Sequence, residues 1–257
     1  MIKELKTTEI NKYKLSGICK FVSGERINRD ECSINGKYPI ISGGENIMGY
    51  ANKFNFSGNN ITISRYGKAG YVSFHECDIW VNDVAWVLEI INKDMVDVKF
   101  LYYYLKAYQK EIYGMILDGT IPPHISPIAI KNFEILLPNI DIQIKIANTL
   151  DKFAELEAEL EARKKQYDYW LHALLNPNTG GMINDKNITY IRLQDICIFE
   201  RGSYINNDDM LHGEIPVISG GEFPVGYTNK YNRDYPCITI SSAGYAGKNI
   251  LFHNEKF

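Results

Sequence analysis

The sequence predicts an α+β fold in which two related, mixed β-rich domains flank one long helix. The string PIISGGENIMGY (residues 39–50) returns as PVISGGEFPVGY (residues 216–227), with eight of twelve positions identical. Between the copies, residues 142–175 contain no glycine or proline and are rich in alanine, glutamate, leucine and lysine. Such self-similarity indicates duplicated domains, and such a composition favours a helix. We therefore predict a first domain at 1–140, a helix at 141–176 and a partial second copy of the domain at 177–257.

The likeness extends to both sides of that string. Residues 14–31 (KLSGICKFVSGERINRDE) align with 192–209 (RLQDICIFERGSYINNDD), and residues 61–71 (ITISRYGKAGY) align with 238–248 (ITISSAGYAGK). The second copy reaches Phe257, whereas the first continues well past the equivalent point. We therefore expect the second domain to lack the C-terminal half of the first.

Within the first copy, the hydrophobic pattern predicts strands, then a helix, then a last strand. YPIIS, NITIS and GYVSF alternate apolar and polar residues between turn-forming residues, as half-buried strands do. DIWVNDVAWVLEI (78–90) is rich in β-branched and aromatic residues, and we predict one buried strand there. IKNFEILLP (130–138) predicts the last strand. The intervening helix has an apolar face, interpreted as core, that consists of Phe100, Leu101, Tyr104, Leu105, Tyr108 and Ile112.

The long helix carries an apolar seam with coiled-coil spacing. Asn139 or Asp141 could cap its start, and Asn176-Pro177 would end it. A helix of this length spans about 50 Å, and so long a seam needs a partner helix to cover it. The predicted helix-pairing residues are Ile146, Leu150, Phe153, Leu160, Tyr167, Leu171 and Leu174.

Composition argues against several classes of protein. The net charge of −3 gives no global positive field, so nucleic acid could be bound only by a local patch. Five cysteines form no C-x-x-C pair, which favours a reducing cytoplasm over a disulfide framework or a zinc site. No segment approaches eighteen apolar residues, and the N-terminus has no apolar run, so we expect neither a membrane span nor a signal peptide.

No catalytic motif is found in the sequence. It contains no phosphate-binding G-x-x-x-x-G-K-[ST] loop and no Asn/Asp-Pro-Pro-aromatic motif of the kind that grips a flipped base. The five histidines are scattered, without metal-ligand spacing or an evident nucleophile. We therefore expect no cofactor, no metal and no enzymatic activity of its own.

The segment from Asp118 to Leu175 resembles one protein family closely. It joins a G-T-I-P-H-like turn, an I-x-x-F-x-I-x-L-P strand and a helix that begins Q-x-x-I-A-x-x-L and continues R-K-K-Q-Y-x-Y. This combination resembles the specificity subunit of type I restriction–modification enzymes. The resemblance implies two target recognition domains, each reading one half of a split double-stranded DNA target, held apart by spacer helices. It also implies that the chain places a methylation subunit, and through it a restriction subunit, on DNA.

Candidate DNA contacts lie beside the repeated glycines. Arg65 could bond a guanine edge, and Lys53 and Lys68 could pair with phosphates. In the second copy Arg65-Tyr66 becomes Ser242-Ala243, although the glycines and the preceding Ile-Thr-Ile-Ser are the same in both copies. Residues that bind two different half-sites would be expected to differ in this way. The alternative is ordinary turn glycines flanked by solvated charges. The predicted DNA-binding residues are Gly43, Gly44, Lys53, Arg65, Tyr66, Lys68, Thr120 and His124.

The polar residues within the seam predict how the helix pairs. An antiparallel second copy crossing near Leu160 sets Glu157 opposite Lys164, whereas a parallel copy sets each residue opposite itself. We therefore expect an antiparallel homodimer. A second reading of the whole chain is a degenerate remnant that acts only as a coiled-coil interaction protein, without specific DNA binding.

Overall fold

The structure, a computed structural model, forms two compact units, Met1–Leu175 and Asn176–Phe257. It describes residues 10–33, 35–117, 119, 121–175, 189–210, 213–234, 236–242 and 246–257. The long helix belongs to the first unit because its first turns pack on the β-rich domain. No helix in the described ranges is long and apolar enough to cross a membrane.

The first unit is a β-rich domain followed by the long helix. In chain order its elements are β1 (Asn11–Lys14), α1 (Leu15–Ile18), β2 (Cys19–Ser23), β3 (Tyr38–Ile41), β4 (Gly49–Ala51), β5 (Asn60–Ser64), β6 (Val72–His75), β7 (Trp80–Val81), β8 (Ala85–Ile90), α2 (Val98–Ala107), α3 (Gln109–Tyr113), β9 (Ile116–Leu117), β10 (His124–Ile125), α4 (Pro127–Lys131), β11 (Glu134–Leu137) and α5 (Ile140–Leu175).

Two sheets form the body of this domain. The larger is antiparallel with strand order β2-β8-β5-β6, and the smaller has the order β4-β3-β7 with β3 and β7 parallel. Antiparallel pairing of β1 with β11 joins the beginning of the domain to its end. The main core lies between one face of the larger sheet and the helices, with Ile61 and Ile63 of β5 and Leu101 and Leu105 of α2 fully buried. A second cluster, which includes Val87 of β8 and Val81 of β7, packs the larger sheet against the smaller one.

The predicted strands YPIIS, NITIS and GYVSF and the last strand are confirmed, but the prediction of one strand over 78–90 is wrong. That segment forms β7 and β8, which belong to different sheets. A turn at Asn82 separates them, because the Asn82 side chain accepts hydrogen bonds from Asp83 N (3.0 Å) and Ile27 N (3.3 Å). The predicted helix is also confirmed, with a break at Tyr108 between α2 and α3.

Helix α5 has 36 residues, and Asn139 caps it by accepting a hydrogen bond from Ile142 N at 3.0 Å. Its two ends lie in different environments. Ile142, Gln143 and Ala147 are buried against the domain, whereas every side chain from 152 to 172 is exposed. The helix is therefore attached to the domain by its first three turns and projects from it over the remainder.

The second unit contains two hairpins whose sequences repeat those of the first domain. Residues 197–201, which align with β2, form no strand. The hairpins β12–β13 and β14–β15 are antiparallel, like their counterparts β3–β4 and β5–β6. The elements are α6 (Leu193–Ile196), β12 (Ile215–Val217), β13 (Gly226–Thr228), β14 (Cys237–Ile240) and β15 (Ile250–His253).

Candidate nucleic-acid interface

Two glycine turns of the first unit pack main chain against main chain. Lys68 N donates a hydrogen bond to Gly43 O at 2.6 Å. A Cβ atom on Gly43 would lie 2.4 Å from Tyr66 O, and one on Gly67 would lie 2.6 Å from Gly43 O. Gly67 also has a φ of +74°, which other residues rarely adopt. Gly43 and Gly67 are therefore required for this contact, whereas a Cβ on Gly44 would meet nothing closer than 3.9 Å.

A third segment joins these two turns. Ile125 N donates to Arg65 O at 3.2 Å, and Tyr66 forms an isolated antiparallel bridge with His124, with their rings 5.8 Å apart. The structure thus brings together five of the predicted residues, which we call the recognition surface. Thr120, also predicted, lies outside the described residues. The recognition surface consists of Gly43, Arg65, Tyr66, Lys68 and His124.

The Arg65 side chain is held from two sides. Its guanidinium carbon is 4.9 Å from the centre of the Trp86 ring, a cation–π contact. Nη1 donates to Asp83 O at 3.3 Å and lies 3.5 Å from Ser23 Oγ. The sequence did not indicate Trp86 or Asp83 as partners, because they reach Arg65 only through the pairing of β5 with β8. Arg65 is half-buried and pre-positioned rather than free in solvent.

Both predicted phosphate-binding lysines are paired with glutamates. Lys68 forms an ion pair with Glu45, and this hydrogen bond raises the pKa of Lys68 above its usual value. Lys68 Nζ also lies 5.0 Å from the centre of the Tyr71 ring, and Lys106 Nζ lies 4.6 Å from the same ring. The turn thus carries an acidic residue beside its cations, a feature that the sequence did not predict.

Lys53 lies in a separate cluster. The register of β3 with β4 places it at the hairpin end opposite Gly43. There it forms an ion pair with Glu31 at 3.0 Å, and its Nζ is 4.7 Å from the centre of the Trp80 ring. The structure therefore does not join Lys53 to the recognition surface.

The strands behind the recognition surface carry a polar contact that occurs in both units. Thr62 Oγ1 is 2.9 Å from His75 Nε2, and Thr239 Oγ1 is 2.8 Å from His253 Nε2 at the equivalent place. Burial lowers the pKa of His75 to about 4, so its ring is neutral at neutral pH. This contact is shared, which indicates a scaffold role. Among the described residues, no group of three or more His, Cys, Asp or Glu could hold a metal ion.

The glycine of the repeated string also makes hydrogen bonds in the second unit. Gly220, the counterpart of Gly43, accepts hydrogen bonds from Ser241 Oγ and Asn249 Nδ2, both at 2.9 Å. Gly247 has a φ of +68°, close to the +78° of its counterpart Gly70. The carbonyl of this glycine thus accepts hydrogen bonds in both units, from a main-chain amide in the first and from two side chains in the second.

Such a domain, with a variable turn on a repeated glycine frame and a projecting helix, matches a known class. The family model of the type I restriction modification DNA specificity domain matches residues 8–167. The chain therefore belongs to this family, as the sequence resemblance predicted. Membership in a family of DNA specificity domains also supports the expectation of a recognition subunit rather than an enzyme.

Relatives with known sequences and a solved structure agree with this assignment. The chain is 28% identical over 254 residues to a protein of Mycoplasma genitalium named as a type I specificity subunit, covering 94% of this chain and 66% of that protein. A Mycoplasma pneumoniae protein of the same description is 26% identical over 254 residues, covering 94% and 68%. The crystal structure of a type I restriction–modification S subunit from M. genitalium matches with a TM-score of 0.74 and 26% identity, covering 98% of this chain and 70% of that one. The chain thus spans about two thirds of the length of these relatives, and the α+β fold is confirmed.

Proposed function

We propose that this chain is the sequence-reading part of a type I restriction–modification enzyme, and that its recognition surface binds one half of a split DNA target. The observation that carries this is the placement of Arg65. The arginine is fixed between the Trp86 ring and the Asp83 carbonyl, on a turn that packs against the glycine pair of the repeated string. The position equivalent to Arg65 in the second unit is Ser242. The two units therefore share the strand that precedes this position but differ in the side chain proposed to contact a base.

The chemistry of these side chains suits distinct parts of a duplex. A guanidinium has five N–H donors, and the bonds to Asp83 and Ser23 use only Nη1. Arginine is the side chain that most often bonds both O6 and N7 of guanine in the major groove. Lys68 is a point charge suited to a phosphate, but Glu45 already neutralises part of its charge. Arg65 therefore contributes base choice, and Lys68 contributes a modest part of the affinity.

In this proposal the chain has no catalytic role and acts through its partners. It places a methylation subunit, and through that subunit a restriction subunit, on the DNA. Gly44 lies next to the close contact of Gly43 without taking part in it, so its backbone can approach a partner. Acting on chromosomal DNA beside a methylation subunit would place the chain in the cytoplasm.

The projecting part of α5 carries an apolar strip that we propose is covered by a second copy of this chain. Phe153 is 63% exposed and Tyr167 is 65% exposed, which is unusual for large side chains at heptad spacing. Ile146 differs from the prediction because it packs against the core of its own domain. In an antiparallel pair, Glu157 of one copy meets Lys164 of the other. Opposite charges at these positions select the antiparallel arrangement, so the target halves would be inverted copies.

Methylation mapping tests the proposed function directly. The chain, copurified with a methylation subunit, is expected to direct methylation to one split motif, and the chain alone is expected to transfer no methyl group from S-adenosylmethionine. The Lys12→Ala variant is the control, since Lys12 is an exposed, ion-paired lysine on β1, away from the recognition surface. Methyl transfer by the purified chain alone, or methylation without sequence preference, would contradict the proposal.

Sedimentation tests the helix pairing separately. The chain is expected to sediment as a dimer at micromolar concentration, and Phe153→Glu with Leu160→Glu is expected to give folded monomers, because both side chains are exposed within each copy. A wild-type monomer, or a dimer that survives both substitutions, would rule out this mode of pairing.

A further inference from the structure

Two polar contacts, one at each end of its packed segment, hold helix α5 on the recognition domain. The first is the fully buried Gln143, near the start of the helix. The second is a cluster of polar side chains eight residues further on, which we call the junction clamp. The junction clamp consists of Glu76, Lys99, Tyr103 and Asp151.

Gln143 fixes the start of the helix. Its Nε2 donates to Pro138 O at 2.8 Å and to Met95 O at 2.9 Å, and its Oε1 accepts from Asp97 N at 3.0 Å. Asp97 in turn caps α2 by accepting a hydrogen bond from Phe100 N at 2.8 Å. The starts of α2 and α5 are therefore tied together. One turn further on, Ile146 and Ala147 pack against the core, so apolar contact holds the helix as far as Ala147. Contact that ended there would resist tilting of the projecting part less than contact that continues into the next turn.

The junction clamp adds the second point. Lys99 Nζ, on α2, lies 2.8 Å from Asp151 Oδ2 and 2.9 Å from Glu76 Oε1. Tyr103 OH donates to Asp151 Oδ1 at 2.7 Å, so both carboxylate oxygens of Asp151 are engaged. Burial disfavours the Asp151 carboxylate, but the bonds from Lys99 and Tyr103 outweigh this effect and hold its pKa below the usual value. Charge-assisted bonds of this kind are stronger than neutral ones.

The position of Asp151 gives the junction clamp its leverage. It is the last residue of the helix that is not fully exposed before the projecting part begins at Lys152. With a rise of 1.5 Å per residue, the helix extends about 48 Å from Gln143 to Leu175. A tilt of about 10° about Gln143 would therefore move the far end by about 8 Å, which exceeds two base-pair steps of 3.4 Å.

We infer that the junction clamp is a positioning device that sets the number of base pairs between the two halves of the target. This inference rests on the proposed function, because it requires a second recognition domain at the far end of the helix. The four side chains contact no DNA in this proposal. They act by fixing the angle at which the helix leaves the first domain, and thereby the distance at which the second half-site is met.

The test uses the full chain with a methylation subunit and duplexes that carry the mapped half-sites at altered separation. The wild type is expected to lose about tenfold in methylation rate when the separation changes by one base pair, the loss that one wrong base pair typically causes. Asp151→Asn, Lys99→Met and Tyr103→Phe are expected to reduce this loss to about threefold or less, with single half-site affinity unchanged. Lys99→Arg keeps the charge and is expected to restore the sharp profile. Lys12→Met removes an exposed ion pair elsewhere and is the matched control.

Each outcome has a distinct meaning. A sharp profile in Asp151→Asn and Lys99→Met, with the same optimum as the wild type, would overturn the inference. Equal relaxation in Lys12→Met would do the same, because it would show a general loss of stability. A wild type that binds no split motif would instead refute the proposed function. A second measurement needs no DNA: spin labels at residues 12 and 161 should give a broader distance distribution in Asp151→Asn than in the wild type, and an unchanged distribution would count against the junction clamp.

Discussion

The two units place nearly the same sequence in two environments. Ile61 and Leu15 of the first unit are fully buried, whereas their counterparts Ile238 and Leu193 are 62% and 59% exposed. In the first unit β8 pairs with β5, and α2 lies against the same sheet. No segment occupies the place of β8 in the described part of the second unit. The comparison shows that turns and hairpins of this domain follow from local sequence, while its core depends on the elements that come later in the first copy.

The largest expected difference between the units lies in hydrogen exchange. Amides of β5 and β6 should exchange only on global unfolding of the first unit, while those of β14 and β15 should exchange through local opening of a two-stranded hairpin. We expect at least about a thousandfold slower exchange in the first pair, given typical domain stabilities of 5–15 kcal/mol. Exchange measured by mass spectrometry on the full chain tests this. Equal protection would mean that something in solution covers the apolar face of the second unit.

Matched core substitutions should separate the units next. Ile61→Ala removes a fully buried side chain and should lower the free energy of unfolding by about 2–5 kcal/mol. Ile238→Ala removes an exposed side chain and should change it by less than about 0.5 kcal/mol. Denaturant unfolding of both variants provides the measurement. A large effect of Ile238→Ala on the free energy of unfolding would show that Ile238 is buried in solution, contrary to the difference described between the two units.

The repeated histidines should differ in their effect on stability at acid pH. The pKa of His75 is lowered from 6.5 to about 4 by burial, so the folded state resists protonation that the unfolded state accepts. Stability from this group is full above about pH 6.5 and is lost as pH falls towards 4, amounting to at most about 3 kcal/mol. His253 shifts in the same direction but is less buried. The measurement is the free energy of unfolding as a function of pH. Replacing His75 with Gln should reduce its fall between pH 6.5 and 4 more than His253→Gln does, and the reverse order would contradict this assignment.

The smallest expected differences concern DNA binding. Arg65→Ser introduces the residue that the second unit has at this position. It should weaken the binding free energy for the mapped half-site by about 1–3 kcal/mol and reduce the sequence preference at one base pair. Lys68→Ala should weaken all duplexes alike and lower the salt slope by about one at most, since Glu45 already shares its charge. Titrations at several salt concentrations distinguish the two. Sequence-independent losses of equal size would reduce Arg65 to a phosphate contact.

Much of this structure could be predicted from the sequence, because the signals were local. The duplication, the strands β3, β5 and β6, the helix α5 and its Asn139 cap follow from repeated strings, alternation and capping chemistry. The division of residues 78–90 into two strands could not be predicted, because the pattern is continuously apolar and only the pairing of β7 with β3 separates them.

Contacts between distant segments were the part that the sequence could not supply. The pairing of Lys68 with Glu45, the placement of Arg65 on Trp86 and the junction clamp all join segments through tertiary packing. Glu45 shows this most clearly. Its place in the repeated string favours a purely structural role, yet its carboxylate forms an ion pair with Lys68, the predicted phosphate-binding residue. Gln143 carried a signal, since it opens the family-like helix motif, but the sequence did not indicate that its side chain is buried.

The contact between Gly43 and Gly67 has a consequence for how a domain of this kind can change its target. The bonds that shape the turn run through main-chain atoms, namely Lys68 N, Gly43 O and Arg65 O. Substituting the side chain at position 65 or 68 leaves those atoms in place. Under the proposed function, a new base preference would therefore require only a new side chain at one of these positions, with the main-chain hydrogen bonds of the turn unchanged.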